Sequence, residues 1–151
     1  MTEHRRGESG EVVAIGPWQD GRAVVTATGP TTVAVMAAAL TGVLAVYRGE
    51  PPNAETDEAT TALPLRAEAV DLASLLSALA TALLDEIDHD AYDVRAVQFD
   101  GLVRTDEGLT GWGYALAVPG GVDRTPCTVE ETAVTAEAGT VTLRATVRRE
   151  R

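Results

Sequence analysis

The sequence predicts an α+β fold: a two-layer sandwich in which a mixed or antiparallel sheet carries two helices packed on one face. Three observations predict it. Two segments repeat their apolar residues at i, i+3, i+4 and i+7, the helical spacing. The other structured segments are β-rich or alternate apolar and small residues with a period of two. The order is a strand pair, a helix, a strand, a helix and then four strands mostly in hairpins, so helices and strands do not alternate as they would around a parallel sheet. At 151 residues the chain fits one domain, large enough to bury roughly two-thirds of the surface its unfolded form exposes. Residues 1–10, "MTEHRRGESG", are polar and read as a flexible tail; residues 11–151 form the single domain.

The first β-rich runs are Glu11–Ile15 and Arg22–Thr28, separated by Gly-Pro and Asp-Gly turn signals. Gly29-Pro30-Thr31-Thr32 follows with a hydroxyl N-cap for a helix. There Val33, Met36, Leu40, Val43, Leu44 and Tyr47 share one face. "RGEPPNAETDEATT", residues 48–61, holds adjacent prolines and four acids and reads as a surface loop. A strand then covers residues 62–70, and Asp71 stands where a carboxylate can cap the second helix. Leu72, Leu75, Leu76, Leu79, Leu83 and Ile87 form that helix's apolar stripe. Its other face, with Ser74, Ala78, Thr81 and Ala82, is uncharged until Asp85; it is either covered by something or the surface expression of a high-alanine composition.

Beyond Tyr92 the period is two. "YDVRAVQFDGLV" and "LTGWGYALAV" are strands joined by a turn at residues 105–108. The second has Trp112, Tyr114, Leu116 and Val118 on one face and Gly111, Gly113, Ala115 and Ala117 on the other. A face of such small residues lets helices approach closely; Leu40, Leu44, Leu75, Leu79 and Leu83 are expected to pack there. A last hairpin turns at Glu137-Ala138-Gly139, with Val141, Leu143, Ala145 and Val147 inward.

Charge narrows the function classes. There are 23 Asp+Glu against 12 Lys+Arg, a net of -11, which disfavours a nucleic-acid surface because phosphate neutralisation needs clustered cations. A basic protein partner suits this chain better. The sixteen residues of "TVAVMAAALTGVLAVY" fall short of the ~20 apolar residues of a membrane span. No apolar export segment follows the polar start, and Cys127, the one cysteine, forms no intrachain disulfide and reads as a structural thiol. A cytoplasmic setting is expected.

No phosphate loop, dinucleotide fingerprint, nucleophile elbow or metalloprotease helix motif occurs, and the histidines are only His4 and His89. With no general acid/base pair identifiable, an enzyme is not expected. The remaining candidate is the acidic end of the second helix: Asp85, Glu86, Asp88, Asp90 and Asp93, with His89. It lacks the ligand order of a tight calcium loop, although Asp88 and Asp90, with Asp20, are weak cation candidates. Crowded acids at a helix C-terminus repel one another and the helix dipole. Asp85, Asp88, Asp90 and Asp93 therefore read either as a solvated turn or as a contact surface for a cationic partner.

"VTATGPTTVAVMAAALTGVLAV", "LRAEAVDLASLLSALATALLDEID" and "GLTGWGYALAVPGGVD" together resemble the archease family from about Arg22 to the C-terminus. The resemblance implies a small acidic protein cofactor for the RNA ligase that joins tRNA halves, promoting its guanylylation through a carboxylate-rich site for a divalent cation such as calcium. It also implies where that site would lie. Arg22 stands where a carboxylate is expected, Thr81 and Ala82 replace an Asn-Glu pair, and Arg148 replaces an Asp near the end of the last strand. At an effective dielectric near 20, unit charges 4 Å apart interact by about 4 kcal/mol, so arginines there oppose a divalent ion. The resulting expectation is an archease-like, non-enzymatic interaction module without the metal site. A divergent archease that still activates an RNA ligase is the alternative.

Overall fold

The computed structural model describes residues 3–6, 12–49, 61–87, 92–119 and 127–149. The elements are β1 (Glu3–Arg6), β2 (Val12–Ile15), β3 (Arg22–Gly29), α1 (Thr32–Arg48), β4 (Thr61–Ala69), α2 (Leu72–Ile87), β5 (Tyr92–Thr105), β6 (Gly108–Pro119), β7 (Cys127–Glu137) and β8 (Thr140–Arg149). The fold is α+β, and every strand pair is antiparallel.

One sheet was expected; the strands divide into two. The first has the order β1-β2-β3-β8-β7 and the second β4-β6-β5. Hairpins explain β5-β6 and β7-β8, whereas the β3-β8 pairing joins segments more than a hundred residues apart, from Arg22 opposite Arg148 to Gly29 opposite Val141. Glu3–Arg6, which the sequence places in a polar tail, pair with Val12–Ile15 as an edge strand. Pro64 sits in β4, an edge of its sheet, where a residue without an N–H is tolerated.

Local chemistry starts both helices and stops α1 as their sequences dictate. Thr31 has extended backbone, and its Oγ1 accepts from the Ala34 amide at 3.3 Å; α1 ends at Gly49 in the left-handed region, whose amide donates to the Ala45 carbonyl. Asp71 Oδ1 accepts from the Ser74 amide at 2.8 Å, which holds the Asp71 carboxyl below its ordinary pKa. The β7-β8 turn places Ala138 at φ 52° and Gly139 at φ 77°, the paired positive angles that match the twist of a two-residue hairpin.

The core is one cluster shared by both sheets and both helices. Leu40, Leu44, Leu75, Leu79 and Leu83 are wholly buried in it with Ala115 and Ala117. A methyl built on Gly111 would lie 3.2 Å from Leu75 Cδ2 and 3.3 Å from Leu79 Cδ1, so α2 does rest on the small face of β6. The close approach of α1 is on the other sheet: Gly42 faces Val25 and Val13. Cys127 is buried in the same cluster, as a structural thiol should be. Thr132 Oγ1 donates to the Ala73 carbonyl at 2.6 Å, tying β7 to the start of α2. On the other face of α2, Ser74, Thr81 and Asp85 are exposed among the described residues, whereas Ala78 and Ala82 are half-buried. Among the described residues no helix is long and apolar enough to cross a membrane.

Candidate functional site

Two groups of charged residues bear on function. The first lies at the end of β3, where Gln19 and Arg22 close a tight turn by reciprocal backbone hydrogen bonds of 2.8 and 2.9 Å. Asp20, at φ 53°, and Gly21, at φ 77°, form its tip. Arg22 is cross-strand partner of Arg148, so two cations stand as direct neighbours here. Like charges in that relation are destabilising. Relief comes from β7, where a register shift between Val129 and Glu131 makes Glu130 the extra residue of a β-bulge. Arg22 Nε donates to Glu130 Oε2 at 2.6 Å and Nη2 to Oε1 at 3.0 Å, a planar two-point pair. Beside it the Arg149 guanidinium stacks over the Trp18 ring, 4.1 Å from its centroid.

Chemically, Arg22 is already paired within the chain. The hydrogen bonds and charge of Arg22 hold the Glu130 carboxyl below its usual range, and the charge of Arg148 adds to the effect. Thr81 is exposed and Ala82 packs against the core; neither supplies an ionic ligand. Among the described residues no three His, Cys, Asp or Glu side chains converge as a metal-holding group. Asp20 remains at the turn tip as one carboxylate beside Arg22. With two arginines side by side and a carboxylate already paired to one of them, the described residues at this end of β3 do not fit a divalent cation. Because Glu130 has a lowered folded pKa, its contribution to stability is complete above the ordinary glutamate range and is lost as pH falls through the lowered value. NMR titration of the Glu130 carboxyl should show that depressed value, and Arg22→Gln should return it toward the ordinary one.

The second group is the end of α2. Asp85 is exposed, and residues 88–91, with Asp88 and Asp90, lie outside the described residues. Asp93 does not join them as a contact group. Its Oδ1 accepts from Arg48 Nη1 at 2.7 Å and its Oδ2 from Arg95 Nε at 2.7 Å, and the side chain is 11% exposed. Arg48 also donates to the Val94 carbonyl at 2.8 Å. A carboxylate used at both oxygens and turned inward is a brace between α1 and β5. Arg95, two positions on from Asp93, is the extra residue of a bulge between Val94 and Ala96. Sequence reasoning missed both Glu130 and Arg48 as partners, since bulges and pairings over 45 or 108 positions leave no local periodic signal.

No protein-family model matches the chain, and no curated protein matches it significantly. Among solved structures it is similar to protein 1598 of Methanobacterium thermoautotrophicum, determined in solution as a structural-genomics target. The TM-score is 0.63 at 19% sequence identity, over 87% of this chain and 95% of that one. At that identity the likeness shows the fold.

Proposed function

We propose that this chain is an archease-like protein that works as a non-enzymatic interaction module, with the metal site of that family replaced by an internal ion pair. One observation carries the reading: Arg22, at a position where the resemblance implies a metal-binding carboxylate, is engaged at two points by Glu130 beside a second cation, Arg148. The net charge of -11 supports a basic protein partner rather than nucleic acid. The fold likeness supports an archease-like frame and carries no activity with it.

The test is addition of the full chain to a tRNA-splicing RNA ligase with guanosine triphosphate and a divalent ion. Ligase guanylylation and turnover should be unchanged. Acceleration that depends on the chain would favour the alternative, a divergent archease acting as the ligase's protein cofactor.

A further inference from the structure

The outer face of the β4-β6-β5 sheet is unlike the rest of the surface. Among the described residues, three of the six exposed large apolar side chains belong to it, Val103, Trp112 and Tyr114, and a fourth, Val70, directly follows β4. An open groove of about 870 Å³ runs over this face at the β5-β6 turn, with Trp112, Val70 and Val103 in its wall. Its charged residues are Glu68, Asp106 and Glu107 against Arg66, three acids to one base, and Arg66 is itself 3.5 Å from Glu68. Scattered exposed apolar residues need no explanation, but a contiguous patch with a polar rim marks an interaction surface.

Trp112 is set in place by the backbone. The bulge between Phe99 and Gly101 puts Gly101 opposite Trp112, and a methyl on Gly101 would lie 3.1, 3.5 and 3.6 Å from three atoms of the six-membered indole ring. The ring therefore covers the glycine with one face and is 39% exposed. An indole held this way offers its outer π-face to a cation without further loss of side-chain freedom.

We propose that this groove is the docking site for a basic segment of a partner protein, which seats an arginine or lysine against Trp112 beside the acidic rim and buries an apolar neighbour on Val70 and Val103. The inference deepens the interaction-module reading and rests on it. Charge complementarity selects the occupant. A second copy of this chain would bring another net charge of -11 and the same acidic rim to the face, and a nucleic-acid strand would meet carboxylates.

The experiment titrates the full chain, at low ionic strength, with a capped synthetic peptide alternating arginine and leucine, and with the same peptide carrying citrulline for arginine. The readout is the indole N–H resonance of Trp112, assigned with Trp18→Phe. The arginine peptide should shift it and the neutral one should not. Trp112→Ala, which removes the reporter and is therefore followed by calorimetric titration, should weaken peptide binding about tenfold, and Asp106→Asn with Glu107→Gln should weaken it and flatten its salt dependence; unchanged thermal melts confirm that these exposed changes leave the fold intact. Binding that survives both variants but is lost in Asp85→Asn overturns the groove and leaves the basic-partner reading standing. Failure of the arginine peptide to bind at all overturns both. Concentration-dependent dimerisation abolished by Trp112→Ala would show instead that the groove serves a second copy.

Discussion

Gly113→Ala should destabilise the domain by about 3 kcal/mol, the upper part of the range for overpacking, lowering the melting temperature by roughly 10 °C. The reason is geometric. A methyl at residue 113 would run into the Gln98 carbonyl oxygen and lie 2.8 Å from Phe99 Cα, and both belong to the backbone of the neighbouring strand, which can give way only by breaking its pairing with β6. Gly16 provides the contrast: a methyl there meets only the Val24 carbonyl oxygen, at 3.7 Å, an ordinary contact, so Gly16→Ala should change stability by no more than about 0.5 kcal/mol. Equal melting temperatures for the two variants would show that β5 and β6 do not approach as closely as described.

Asp93→Ala should cost about 3 to 5 kcal/mol, measured by urea unfolding. Arg48 and Asp93 are only 9% and 11% exposed, so removal of the carboxylate takes away a counter-charge held 2.7 Å from a nearly buried guanidinium. Arg48 ends α1, and its bonds to Asp93 and to the Val94 carbonyl are where that helix is fastened to β5. Asp85→Asn, on an exposed side chain, should lie within about 0.5 kcal/mol of the parent. The comparison separates a carboxylate used inside the fold from one available at the surface, although both belong to the same acidic stretch of sequence. Similar small losses for both would mean that the Asp93 brace contributes little.

What could be read from the sequence was local. Thr31 and Asp71 announce helix starts because a short polar side chain can accept from amides that the first turn leaves unpaired. Ala138-Gly139 announces a hairpin because glycine tolerates the positive angle its turn requires. The alternation in "GWGYALAV" separates a small face for α2 from an aromatic face for solvent. What could not be read was long-range. Nothing near Arg22 names Arg148 as its neighbour, and the choice of β8 as partner of β3 divides the strands into two sheets. Bulges defeat periodic reading in the same way. Strict alternation through β7 leaves Glu130 among the outward residues of an ordinary strand, whereas the inserted residue carries it to Arg22. The groove was half legible: Trp112 and Tyr114 share a face by spacing alone, but the acids of the β5-β6 turn join Trp112 only through the pairing of β4, β5 and β6.

Calorimetric titration of the full chain with calcium tests the central claim most directly, because the claim is that an arginine-glutamate pair stands where the family resemblance implies a metal. The account predicts no binding tighter than about 10⁻⁴ M, the weak range of extracellular calcium modules, and no change when Glu130 is replaced by Gln. Micromolar calcium binding that is lost on Glu130→Gln or Asp20→Asn would contradict it, showing that these carboxylates serve a metal ion rather than Arg22.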